Sequence, residues 1–210
     1  MAQSKICGIT TPEALDAAID GGARFVGFVL FPKSPRHVQR EQLAALMARA
    51  RGRVETVIVT VNADDALLHE IGALRPDWIQ AHGAESALRL AEMRGFAQRG
   101  VIKALGVARA EDFASVEGFE AAADMLLFDA KPPAGAELPG GNALAFDWGL
   151  MAGRRFGRPW MLSGGLNPAN VREAITTSGA DLVDVSSGVE VRPGLKDPAL
   201  VAQFLAAARA

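Results

Sequence analysis

The sequence predicts an α/β chain folded as a single (β/α)8 TIM barrel. Three observations carry that expectation. Eight short apolar runs recur along the chain, and stretches of helical period separate them. Most of the runs are continuously apolar, as strands covered on both faces must be. The 210 residues leave room for eight such units and little else, so one domain is expected over 1–210. An open doubly wound sheet is the alternative that the same alternation permits.

The runs, in order, are "KICGI" (5–9), "RFVGFVL" (24–30), "VETVIVTV" (54–61), "DWIQAH" (77–82), "VIKALGV" (101–107), "DMLLFDA" (124–130), "PWMLSG" (159–164) and "DLVDVSS" (181–187). Three of the intervening stretches carry clear start and stop signals. Thr11 caps a first helix with Pro12 at its first position and Gly21 and Gly22 past its end. Asn167, Pro168 and Gly179 repeat the pattern, and Asp197 with Pro198 opens the last helix. Further helices are expected near 40–50, 64–75, 84–99, 110–120 and 146–154. The Pro- and Gly-rich stretch 130–145 reads as a mobile loop beside a site.

Composition excludes several classes of function. The formal net charge is −2 and the pI about 5.9, which gives no broad basic field for nucleic acid. No run approaches the roughly 18 apolar residues of a membrane span. The first residues lack the charged and apolar segments of a secretory signal. Cys7 is the only cysteine, which suits a reducing compartment, so a cytoplasmic protein is expected.

In a barrel of this kind chemistry sits at the C-terminal ends of the strands, and phosphate commonly binds after strands seven and eight. The seventh run ends in Ser163, Gly164 and Gly165, and the eighth in Ser186, Ser187 and Gly188. Glycine lets backbone approach a ligand closely, and exposed N–H groups in such turns cradle an anion. Side chains alternate along a strand, so Lys5 and Cys7 share a face directed into the barrel. A nearby ammonium would favour the thiolate. Asp129 ends the sixth run and is either a turn cap or a catalytic acid. Asp184 lies on the strand next to the first in a closed barrel, where pairing with Lys5 is the favoured reading. Arg36 follows the second run in a loop stiffened by Pro32 and Pro35, and its fork could hold a carboxylate at two points. Gln80 and His82 end the fourth run, and His82 is given no role as a base.

These segments together resemble phosphoribosylanthranilate isomerase. "KICGIT", "GFVLFPKSPR", "IQAHG", "VIKALGV", "LLFDA", "FDW", "LSGGLNPANV" and "VDVSSGVEVRPGLKD" run in that family's order over almost the whole chain. The resemblance implies an Amadori rearrangement of N-(5-phosphoribosyl)anthranilate within tryptophan biosynthesis. It implies Cys7 as general base, Asp129 as general acid and Arg36 as the group holding the anthranilate carboxylate. It implies neither metal nor organic cofactor. The candidate substrate-binding set is Arg36, Gln80, Gly164, Gly165, Asp184, Ser186, Ser187 and Gly188. The expected partner is a small phosphosugar, with no nucleic acid and no membrane, and the chain acts as a monomer or a homodimer. Two departures stand out: Asn142 and Ala143 replace a hydroxyl residue and a glycine, and Ala81 stands where leucine is common. Another sugar-phosphate barrel enzyme, or a barrel that only senses a phosphorylated metabolite, are the competing readings.

Overall fold

A computed structural model describes residues 1–131 and 145–210. The eight expected strands are all present: β1 Gln3–Cys7, β2 Phe25–Leu30, β3 Glu55–Thr60, β4 Trp78–Ala81, β5 Gly100–Val107, β6 Met125–Ala130, β7 Trp160–Leu162 and β8 Leu182–Val185. They pair in sequence order and β8 closes back on β1, so the sheet is a closed parallel barrel and not an open one. Closure sets Lys5 opposite Asp184 in register.

The helices outside the barrel follow their caps. In α1 (Pro12–Asp20) the Thr11 hydroxyl accepts the Ala14 N–H at 3.2 Å, and Pro12 fills a position that needs no donor. In α7 (Pro198–Arg209) the Asp197 carboxylate accepts the N–H groups of Ala199 and Leu200. Between them lie α2 (Arg40–Ala50), α3 (Asp65–Leu74), α4 (Ala87–Met93), α5 (Glu117–Glu120) and α6 (Val171–Ser178).

Four expectations need correction here. The helix expected from Asn167 begins at Val171, because the Asn167 side chain accepts from Ala169 and Asn170 and closes a separate turn first. The stretch 84–99 forms α4 and then only a 3₁₀ turn at Arg94–Phe96, where Gly95 weakens the helix. The stretch 110–120 forms a 3₁₀ segment at Ala110–Ser115 and the single turn α5. The stretch 146–154 supplies a 3₁₀ turn at Trp148–Met151 and no α-helix. The loop expected at 130–145, with Asn142 and Ala143, lies largely outside the described residues.

Side-chain alternation sorts the core into two layers. Ile6, Val26, Ile58, Ile79, Leu126 and Val183 face the helices in the outer layer. Cys7, Phe25, Val57, Val59, Trp78, Ile102, Leu127 and Met161 fill the barrel interior. Complete burial of each large apolar side chain contributes about 1.5–3 kcal/mol. At the lower end, the Trp78 indole N–H donates to Glu55 at 2.7 Å, so the wide ring is satisfied as well as buried. The apolar filling gives way to polar side chains toward the strands' C-terminal ends.

One element was not anticipated. After β8 the chain makes a small antiparallel hairpin, β9 (Glu190–Arg192) and β10 (Leu195–Lys196). Pro193 and Gly194 turn it, and the Thr10 hydroxyl donates to the Gly194 carbonyl at 2.8 Å. This contact fastens the hairpin to the loop after β1. No helix among the described residues is long and apolar enough to cross a membrane.

Candidate active site

The polar interior residues form two groups at the C-terminal ends of the strands. The first surrounds Cys7. The Lys5 ammonium donates to Asp184 Oδ1 at 2.9 Å, and both side chains are buried. The Ser163 hydroxyl donates to the other carboxylate oxygen at 3.2 Å. Ser186, the first residue beyond β8, donates from Oγ to the Cys7 carbonyl at 3.1 Å.

The hairpin adds a buried cation. The Lys196 ammonium donates to the Ser186 carbonyl at 3.0 Å and to Glu190 Oε1 at 2.6 Å. Glu190 is shared with Arg36, whose Nε and Nη2 reach its two oxygens at 2.8 and 3.0 Å. The two-point edge of the Arg36 guanidinium, read from the sequence as a carboxylate holder, is thus engaged by a carboxylate of the chain itself, Glu190.

Charge sets the chemistry of the thiol. Burial pushes Cys7 above the ordinary thiol value, Lys5 opposes that, and Asp184 adds to it. The Lys5 ammonium favours the thiolate, as the sequence led one to expect, but burial exceeds its effect. Burial also acts to lower Lys5, yet the Asp184 carboxylate and a smaller contribution from Cys7 raise it well above the usual lysine range. Lys196 is lowered by burial against the pull of Glu190, and it too favours the Cys7 thiolate.

The second group surrounds Asp129, the interior residue at the end of β6. Its Oδ1 accepts the Ala130 N–H at 2.9 Å, and its Oδ2 lies 3.4 Å from His82 Nε2. Gln80 is completely buried, with Nε2 2.9 Å from His82 Nδ1. Its Oε1 has no hydrogen-bond partner among the described residues.

The end of β7 joins the groups. Ser163 touches Asp184, and the next residue, Gly164, approaches Asp129. Gly164 takes φ +89°, and a Cβ there would stand 2.7 Å from the Ala130 nitrogen and 3.2 Å from Asp129 Oδ1. Gly165 follows at φ +64°. Beyond β8, Ser187 begins a short 3₁₀ turn, Ser187–Val189. Within it Gly188 lies so close to the Leu166 carbonyl that a Cβ would be 1.9 Å away. The loops 164–166 and 186–188 are thus in close backbone approach.

A sequence profile of the N-(5'phosphoribosyl)anthranilate (PRA) isomerase family matches residues 4–207. The chain belongs to that family. N-(5'-phosphoribosyl)anthranilate isomerase of Caulobacter vibrioides is 55% identical over 208 residues, 98% of this chain and 95% of that protein. A solved phosphoribosyl anthranilate isomerase, in complex with reduced 1-(o-carboxyphenylamino)-1-deoxyribulose 5-phosphate, superposes with a TM-score of 0.86 at 33% identity, covering 100% of this chain and 99% of that one. A structure of monomers generated from the dimeric isomerase of Thermotoga maritima gives a TM-score of 0.85 at 34% identity, covering 100% of this chain and 99% of that one.

Cys7, Asp129, Gln80, Asp184, Gly164, Gly165, Ser186, Ser187 and Gly188 all lie at the C-terminal ends of strands or in the loops that follow. Two features escaped: the Glu190–Lys196 hairpin, and the approach of His82 to Asp129. The Pro193–Gly194 turn was the available signal for the first, since it folds the chain back and brings Lys196 to Glu190. For the second there was no signal, because residues 82 and 129 meet only through barrel closure.

Proposed function

We propose that this chain converts N-(5-phosphoribosyl)anthranilate to 1-(2-carboxyphenylamino)-1-deoxyribulose 5-phosphate in tryptophan biosynthesis, with Cys7 as general base and Asp129 as general acid. The observation that carries it is the adjacency of Ser163 and Gly164. Ser163 hydrogen-bonds the Asp184 carboxylate that pairs with Lys5, and Gly164 leaves open the space beside Asp129, where a Cβ would stand 3.2 Å from Oδ1. A sugar phosphate seated on the loops 164–166 and 186–188 would present its carbons between a base and an acid.

The steps follow from those groups. Asp129 gives its proton to the furanose ring oxygen, the bond from that oxygen to C1 breaks, and the nitrogen lone pair forms a C=N bond. Cys7, in the thiolate form that Lys5 and Lys196 favour against burial, removes the proton from C2. That electron pair forms the C1–C2 double bond, and the nitrogen regains its own. Asp129, now a carboxylate, takes the proton of the C2 hydroxyl. C1 receives a proton from the thiol, and the ketone results. Each proton transfer of this kind contributes on the order of 10²–10⁴ in rate.

Arg36 is placed by its two-point contact with Glu190, and the resemblance makes its guanidinium the group that meets the anthranilate carboxylate. Gln80 and Asp184 border the sugar. A cytoplasmic site of action fits the lone thiol. The chain works as one barrel over 1–210, alone or as a homodimer.

The test is direct. Freshly prepared N-(5-phosphoribosyl)anthranilate is mixed with the purified chain, its fluorescence is followed, and the product is identified by mass and by its keto carbon. Conversion by the parent and its loss in Asp129→Ala, with binding of the reduced product retained, supports the reading. Absence of conversion by the folded parent refutes it.

A further inference from the structure

We propose that His82 positions the carboxyl of Asp129, with Gln80 fixing the tautomer of its imidazole. The inference deepens the proposed reaction and rests on Asp129 being its acid.

Three observations lead there. Gln80 points into the barrel from β4 and sets its amide nitrogen 2.9 Å from His82 Nδ1. An amide N–H only donates, so Nδ1 must present its lone pair, and a neutral imidazole then carries its proton on Nε2. That Nε2 lies 3.4 Å from Asp129 Oδ2. The separation is wider than a formed hydrogen bond, as catalytic contacts often are before substrate closes them. Finally, Asp129 Oδ1 already accepts the Ala130 N–H at 2.9 Å, so the His82 N–H faces the other oxygen.

This arrangement supports one moment of the reaction. When Asp129 has given its proton to the ring oxygen, a carboxylate is left in a buried site. Two N–H donors, one on each oxygen, stabilise that carboxylate and hold its plane. His82 exchanges no proton with substrate and is a positioning residue. Gln80 Oε1, buried and without a partner among the described residues, is an acceptor that a sugar hydroxyl would satisfy. Substrate would then lock the amide, and through it the imidazole, in the orientation that serves Asp129.

The experiment uses the full chain. His82→Leu and His82→Gln are compared with the parent and combined with Asp129→Asn, and the imidazole nitrogens are observed by ¹⁵N NMR. His82→Leu is expected to lower kcat by about ten- to a hundredfold, the worth of one hydrogen bond to a charged group, while leaving KM unchanged. His82→Gln keeps an N–H donor and recovers most of that loss. In the Asp129→Asn background His82→Leu costs nothing further, whereas a merely structural role would cost the same in both. The spectrum places the His82 proton on Nε2. Parental kcat in His82→Leu, equal losses in both backgrounds, or a proton on Nδ1 would each overturn the inference. Parental activity in Asp129→Asn alone would overturn the acid assignment and this inference with it. An inactive Asp129→Asn beside a fully active His82→Leu would overturn this inference alone.

Discussion

Lys5 and Asp184 face each other in register across the closure of the barrel and form a buried ion pair at 2.9 Å, two residues before Cys7. The lysine therefore serves the carboxylate first and the thiol second. Removing either partner shifts the thiol in opposite senses. Asp184→Asn leaves Lys5 facing Cys7 and makes the thiol more acidic, so alkylation at neutral pH speeds up. Lys5→Met leaves Asp184 facing Cys7 and slows it. Each variant also loses about 3–5 kcal/mol of stability, because the remaining charge is buried without its partner. Iodoacetamide kinetics and denaturant melts of the two proteins check both signs.

The raised thiol value has a consequence for stability. The fold favours the protonated thiol, while the unfolded chain ionises near its ordinary value of about 8.5. Below that pH the contribution of Cys7 is intact. Above it the unfolded state loses its proton first, so stability falls as the pH rises toward the folded-state value. Chemical denaturation of the parent between pH 7 and 10 shows this decline, and Cys7→Ala lacks that part of it.

Glu190 holds Arg36 and Lys196 together between two strand ends. Glu190→Gln keeps the size but removes the charge that orients the guanidinium. KM for N-(5-phosphoribosyl)anthranilate rises by about tenfold, the scale of one charge-assisted hydrogen bond, while kcat stays near the parental value. Steady-state kinetics separate the two constants. A drop confined to kcat would place Glu190 in the proton transfers instead.

Gly188 lies where the loops 164–166 and 186–188, proposed to bind the substrate phosphate, touch. A Cβ there meets the Leu166 carbonyl at 1.9 Å and Asn167 Cβ at 2.9 Å, so one loop must move. Gly188→Ala is expected to weaken binding of inorganic phosphate and of substrate while leaving alkylation of Cys7 unchanged. Calorimetric titration with phosphate reads the first and iodoacetamide the second.

Much of this was legible in the sequence, for physical reasons that differ by element. The strands were readable because burial on both faces demands unbroken apolar runs, as in "MLLF" before Asp129. Thr11–Pro12 and Asp197–Pro198 marked helix starts because a cap and its proline are local chemistry. Asn167 misled because its side chain closes a separate turn, a choice between two local hydrogen-bond patterns. The pairing of Lys5 with Asp184 followed once a closed barrel was assumed. The approach of His82 to Asp129 did not, since neighbouring strand order says nothing about two side chains reaching across from β4 to β6. The raised value of Cys7 was also beyond sequence reading, because it depends on how completely burial outweighs one ammonium already engaged with a carboxylate.

The central claim is that Cys7 takes the proton from C2. The most direct measurement is the turnover of N-(5-phosphoribosyl)anthranilate by Cys7→Ala, with the reduced product as a binding control. The account predicts a fall in kcat of about 10²–10⁴ with ligand binding retained. Turnover that survives the loss of the thiol would contradict it and leave "KICGIT" as a packing motif at the end of the first strand.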